Sequence, residues 1–146
     1  MVPCSRAREG RFRQGGRGVR RMLAVLAAAL LPAAAVAQEY LVGGYMAYIG
    51  PDDLYNSNGV RLTDAVSVLR QDRANVHRFG IAQPGDERDD WFGSQAARGA
   101  MARMFAAGGG IHPEFQRMIV NGGVPVYVTI YAVDGSFTKL RAEVPG

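Results

Sequence analysis

Asp72 sits where a charge is costly. On the helix that its neighbours predict, it falls in the middle of an apolar stripe, one turn from Val68, Leu69 and Val76. A carboxylate there must be paired, hydrogen-bonded or protonated, because an uncompensated buried charge is strongly unfavourable. The leading expectation is a structural acceptor for an arginine such as Arg61 or Arg98, or for loop amides. The competing expectation is an acid that binds a ligand or works in catalysis, since perturbed acids gather at functional sites.

The same segment carries Arg70, Arg73 and His77, which at 100° per residue fall together on the side opposite the apolar stripe. Guanidinium forks match carboxylate and phosphate oxygens, so this trio is a candidate anion site. The plainer expectation is a solvated, charge-rich helix face.

Asp86, Glu87, Asp89 and Asp90 put four acids in five positions after Pro84-Gly85. Calcium takes such oxygens, which makes these the candidate calcium ligands, but the spacing is not that of an Asp-x-Asp-x-Asp-Gly loop. Acids ahead of a helix also serve capping and dipole roles. His77 and His112 are the two histidines and share no metal-ligand spacing, so neither a metal nor another cofactor is expected. The serines lack a nucleophile-elbow context. Trp91 and Phe92 beside the acidic loop, and Tyr127 and Tyr131 on one strand face, are candidates for anchoring a partner or stacking a sugar. Core packing is their commoner use.

These side chains need elements to hold them. Tyr40 to Ile49 is apolar and predicts a strand with a bulge at Gly43-Gly44. Turns follow at Gly50-Pro51-Asp52-Asp53 and Asn56-Ser57-Asn58-Gly59, with a short returning strand at Val60 to Leu62. Thr63 or Asp64 caps a helix over 65–77, whose buried face is Ala65, Val68, Leu69, Val76 and the following Phe79. Ser94 caps a second helix over 95–107, and Pro113 opens a third through Val120. From Val124 the residues alternate to Val133, turn at Asp134-Gly135 and return from Phe137 to Val144. Strands at both ends with about three helices between predict an α+β domain, its small antiparallel sheet made of the N-terminal strand and the C-terminal hairpin.

The chain begins differently. Arg20 and Arg21 precede an apolar run, Met22 to Leu31, then Pro32 and an Ala35-Val36-Ala37 cleavage site. This is the pattern of a secretory signal peptide over residues 1–37, and a start at Val19 would leave residues 1–18 upstream of it. The apolar stretch is proline-broken and shorter than the ~20 residues a membrane helix needs. Residues 38–146 are then a single exported α+β domain, in the periplasm or secreted, and the Ala-rich leader suggests a bacterial envelope.

Cleavage inverts the charge balance. The chain has 17 Lys+Arg and 13 Asp+Glu, but seven of the arginines and one acid precede position 38. Ten basic and twelve acidic residues remain, which removes the electrostatic case for nucleic acid. Cys4 leaves with the leader, so the mature part has no disulfide, no thiolate and no lipid anchor. No membrane span is expected after cleavage.

These features predict a small exported binding or interaction module whose partner is an envelope protein or a small ligand. The alternatives are a small hydrolase using Asp72 with His77 or the acidic loop 86–90, and an assembly protein using the edge of its C-terminal hairpin.

Overall fold

A half-buried strand alternates its side chains between core and solvent. Val126, Val128, Ile130 and Ala132 are buried, while Tyr127 among them is exposed. In the computed structural model, which describes residues 36–146, this segment is β2 (Pro125–Val133). Asp134 and Gly135, with φ of 48° and 76°, turn it into β3 (Ser136–Glu143), the conformation a two-residue hairpin favours. β1 (Glu39–Tyr48) pairs antiparallel along the other side of β2, so the sheet order is β1-β2-β3.

The helices lie between β1 and β2 in sequence. Asp64 accepts a hydrogen bond from Ser67 N and starts α1 (Ala65–Ala74). The helix does not stop at Ala74. It widens into a π-helical turn, Asn75–Phe79, and ends at Gly80 in the left-handed region, φ 68°. Ser94 caps α2 (Gln95–Ala107), and α3 (Pro113–Asn121) has His112 at its N-cap and proline at its start. Buried residues from all three helices and the inward sheet face form one core: Val68 and Leu69, Met101 and Phe105, Ile119, with Val128 and Leu140 beneath. The architecture is α+β, three helices with a three-stranded antiparallel sheet.

Three local expectations change. The β1 register shifts between Leu41 and Gly43, so the bulged residue is Val42 rather than a glycine. Gly43 and Gly44 serve close approach instead. A Cβ on Gly43 would stand 3.0 Å from the Trp91 ring, and one on Gly44 would strike the Tyr127 phenol. The returning strand expected at Val60 to Leu62 is a single bridge, Tyr55 with Arg61, after a 3-10 turn at Pro51–Leu54. Phe79, expected on the buried face of the first helix, is 46% exposed, because the π turn advances fewer degrees per residue than an α-helix and rotates it outward.

Residues 1–35 of the expected leader, Cys4 among them, lie outside the described residues. The described part starts just before the expected cut, with Val36 exposed and β1 beginning at Glu39. No helix among the described residues is long and apolar enough to cross a membrane.

Candidate functional site

Two groups of charged side chains share α1, one buried and one open. The buried group centres on Arg73, which is 0% exposed. Its Nε donates to Asp72 Oδ2 at 2.7 Å, and its Nη1 donates to Asp89 Oδ2 at 2.9 Å and to the Glu87 carbonyl at 2.7 Å. The guanidinium lies 4.3 Å over the Tyr45 ring, whose edge meets Phe92. Asp89 Oδ2 is also 2.8 Å from His77 Nε2, while Asp89 Oδ1 accepts from the backbone N–H groups of Trp91 and Phe92. The loop before α2 is thereby fastened to α1 by one carboxylate.

Burial sets the electrostatics here. It pushes the Asp72 carboxyl up to about 7, against the opposing charge and hydrogen bond of Arg73. Burial would raise Asp89 as well, but hydrogen bonds from His77, Arg73 and the two amides hold it below the usual carboxylate range. Burial opposes the charge on Arg73, yet Asp72 and Asp89 outweigh it and the guanidinium stays protonated. The Tyr45 hydroxyl is pushed well above its ordinary range, again by burial first.

Asp72 is thus buried and paired, but its partner is its sequence neighbour Arg73 rather than Arg61 or Arg98. Arg61 instead donates to the Val120 carbonyl, and Arg98 to the carbonyls of Phe92 and Gly93. Arg73 and His77 are not on a solvated face: loop residues 87–92 fold over that side of α1 and enclose both. A carboxylate bonded to a histidine is also how a catalytic base is oriented. Here the His77 side chain is only 4% exposed, and Asp89 is already committed to Arg73 and two amides. That geometry is a cross-link.

The acidic loop has a structural use. Glu87 exchanges bonds with Met46, its Oε2 accepting from Met46 N at 2.8 Å and its N donating to Met46 O at 2.9 Å. Asp86 Oδ1 accepts from Tyr48 N at 2.7 Å, and its Oδ2 from Gln83 N. These carboxylates stand in for a neighbouring strand along the outer edge of β1. Asp86, Glu87, Asp89 and Asp90 therefore do not converge, and no three His, Cys, Asp or Glu side chains gather around one point among the described residues. His112 caps α3, far in sequence from the His77 cross-link. Of the aromatic candidates, Phe92 is fully buried and Trp91 packs on β1, whereas Tyr127 is exposed over Gly44. Tyr131 lies beneath Lys139 and Arg141 on the outer sheet face.

The open group is a cleft of about 310 Å³ between α1, the π turn and the start of α2. Arg70, Arg78 and Arg98 line it, with Ser67, Gln71 and Gln95 as further polar groups, and no acid lines it among the described residues. None of the three arginines pairs with a carboxylate among those residues. Burial first, then the charges of Arg78 and Arg70, lower the pKa of Arg98 against the opposing charge of Asp89. Gln95, the first residue of α2, lines the same cleft, which brings the partial positive charge of a helix start near it.

Of the expected anion trio, Arg70 alone lines this cleft; Arg78 and Arg98 replace Arg73 and His77. The spacing Arg70, Ala74, Arg78 carried a signal for two of them, because residues four apart are neighbours along a helix. No protein-family model matches the chain, and neither a curated protein nor a solved structure matches it.

Proposed function

We propose that residues 38–146 are a small exported binding module, periplasmic or secreted, that holds an anionic ligand in the arginine cleft. The observation that carries this reading is the set of three arginines around one cavity, with no acid lining it and no carboxylate paired to any of them among the described residues. Clustering like charges is unfavourable in the free protein, and a bound carboxylate or phosphate removes that penalty while satisfying the guanidinium donors. A volume near 310 Å³ suits a small ligand rather than a protein surface. Export is supported by the sequence of residues 19–37, and by the position of the proposed cut one residue before β1, where trimming leaves the sheet whole.

Isothermal titration of residues 38–146 with inorganic phosphate tests the site. Saturable binding is expected, weakened about tenfold or more by Arg70→Ala or Arg78→Ala, since a hydrogen bond to a charged group contributes ~1.5–3 kcal/mol. Both arginines are exposed, so the variants should keep the fold. Binding that is absent, or unchanged in the double variant, rules the site out. N-terminal sequencing of exported material should begin at Gln38, and an intact leader on cytosolic protein refutes the export reading.

A further inference from the structure

The arginine cleft does not end at its arginines. A second cleft of about 360 Å³ adjoins it, and Asn56, Ser57, Gln71 and Phe79 line both. At its far end the second cleft has Tyr55 and Ile81, which are 44% and 41% exposed, with Phe79 on the shared wall. Exposed apolar groups of this size gathered at one cavity mark a binding surface more often than chance placement. The flat rings are also held in place. Arg78 lies 5.1 Å from the centre of the Phe79 ring and Arg61 lies 5.4 Å from that of the Tyr55 ring, cation–π contacts that restrain both rings.

The two clefts differ in sign. One is lined by three arginines and no acid among the described residues, and the other contains Asp52. A ligand charge is thus drawn to one end and repelled from the other. We infer that the ligand is an aromatic anion, its carboxylate or phosphate among Arg70, Arg78 and Arg98 and its ring between Phe79 and Tyr55. This rests on the anion-binding reading of the arginine cleft and adds the chemistry of the ligand body. The π turn explains how one segment supplies both ends. By rotating Phe79 out of the core beside Arg78, it places a ring and a guanidinium at the junction of the two cavities, and such turns are frequent at functional sites.

Titration of residues 38–146 with phenyl phosphate, methyl phosphate and inorganic phosphate separates the two claims. Phenyl phosphate is expected to bind at least tenfold more tightly than the other two. Phe79→Ala should abolish that advantage, read as the ratio of phenyl phosphate to inorganic phosphate affinity because Phe79 also lines the arginine cleft and touches Arg78, with circular dichroism confirming the fold. Tyr55→Ala, at an equally exposed position, reads the same contact should Phe79→Ala misfold. Equal affinity for all three anions overturns the aromatic inference and leaves the anion site standing. Failure of every anion to bind overturns both.

Discussion

Arg73 and Asp89 are sixteen residues apart and joined by a fully buried 2.9 Å ion pair. Because Asp89 also takes His77 and two backbone amides, this pair is the point where the loop before α2 is locked to α1. Removing one partner leaves a buried guanidinium half-compensated. Asp89→Ala should therefore cost about 3–5 kcal/mol of stability, the range for breaking a buried pair from one side. Urea unfolding monitored at Trp91 measures it, and a loss below about 1 kcal/mol would refute the locking role.

The neighbouring acid predicts a pH effect of opposite sign. Asp72 is pushed up to about 7 by burial, above the ~3.9 of an unfolded aspartate. Between those values the folded chain keeps a proton that the unfolded chain has released, so this group's contribution is full below about pH 4 and lost as pH rises towards 7. Asp89, held low, contributes above the unfolded value and loses that contribution only as pH falls further. Asp72→Asn removes the Asp72 titration alone. Wild-type stability minus that of the variant should fall from pH 4 to pH 7 and stay flat above it. A difference that is constant, or that rises, contradicts the assignment.

Tyr45 tests the same core more gently. Its hydroxyl is buried without a hydrogen-bond partner among the described residues, while its ring carries the contacts to Arg73 and Phe92. A buried, unsatisfied hydroxyl costs about 1–3 kcal/mol. Tyr45→Phe should then be neutral or stabilising in thermal melts, and a clear fall in melting temperature would show that the hydroxyl is bonded.

What the sequence disclosed about this fold was local. The hairpin, α2 and α3 are legible because periodicity, caps and Gly or Pro punctuation act over a few residues. The second side of α1 was not legible. Arg73 and His77 look solvated on a helical projection, and only the return of residues 87–92 buries them. That contact spans at least ten positions and leaves no periodic mark. Asp72 was legible as a problem, since a charge in an apolar stripe requires a partner, but not as half of a pair with the very next residue. The cleft was legible in Arg70 and in the spacing that puts Arg78 two steps of four along the same helix line. Arg98 joins from a different helix, and Phe79 is delivered by a π turn that no residue pattern announces.

The outer edge of β1 supplies the last prediction. Strand edges leave amides unpaired and invite pairing with other chains. Here Glu87 Oε2 and Asp86 Oδ1 accept from Met46 N and Tyr48 N, so two side chains complete the ladder that a fourth strand would provide. Replacing both by alanine removes the two side-chain acceptors and leaves only the backbone bond from Glu87 N to Met46 O on that edge of β1. Hydrogen exchange at Met46 and Tyr48 should then accelerate more than tenfold, equivalent to ~1.4 kcal/mol or more of lost local protection. The amides shared between β2 and β3 should hold their rates, because their partners are untouched. The freed edge should also raise the tendency to dimerise, visible as earlier elution with increasing concentration. Unchanged exchange at Met46 and Tyr48 would mean that the carboxylates do not cover the edge in solution.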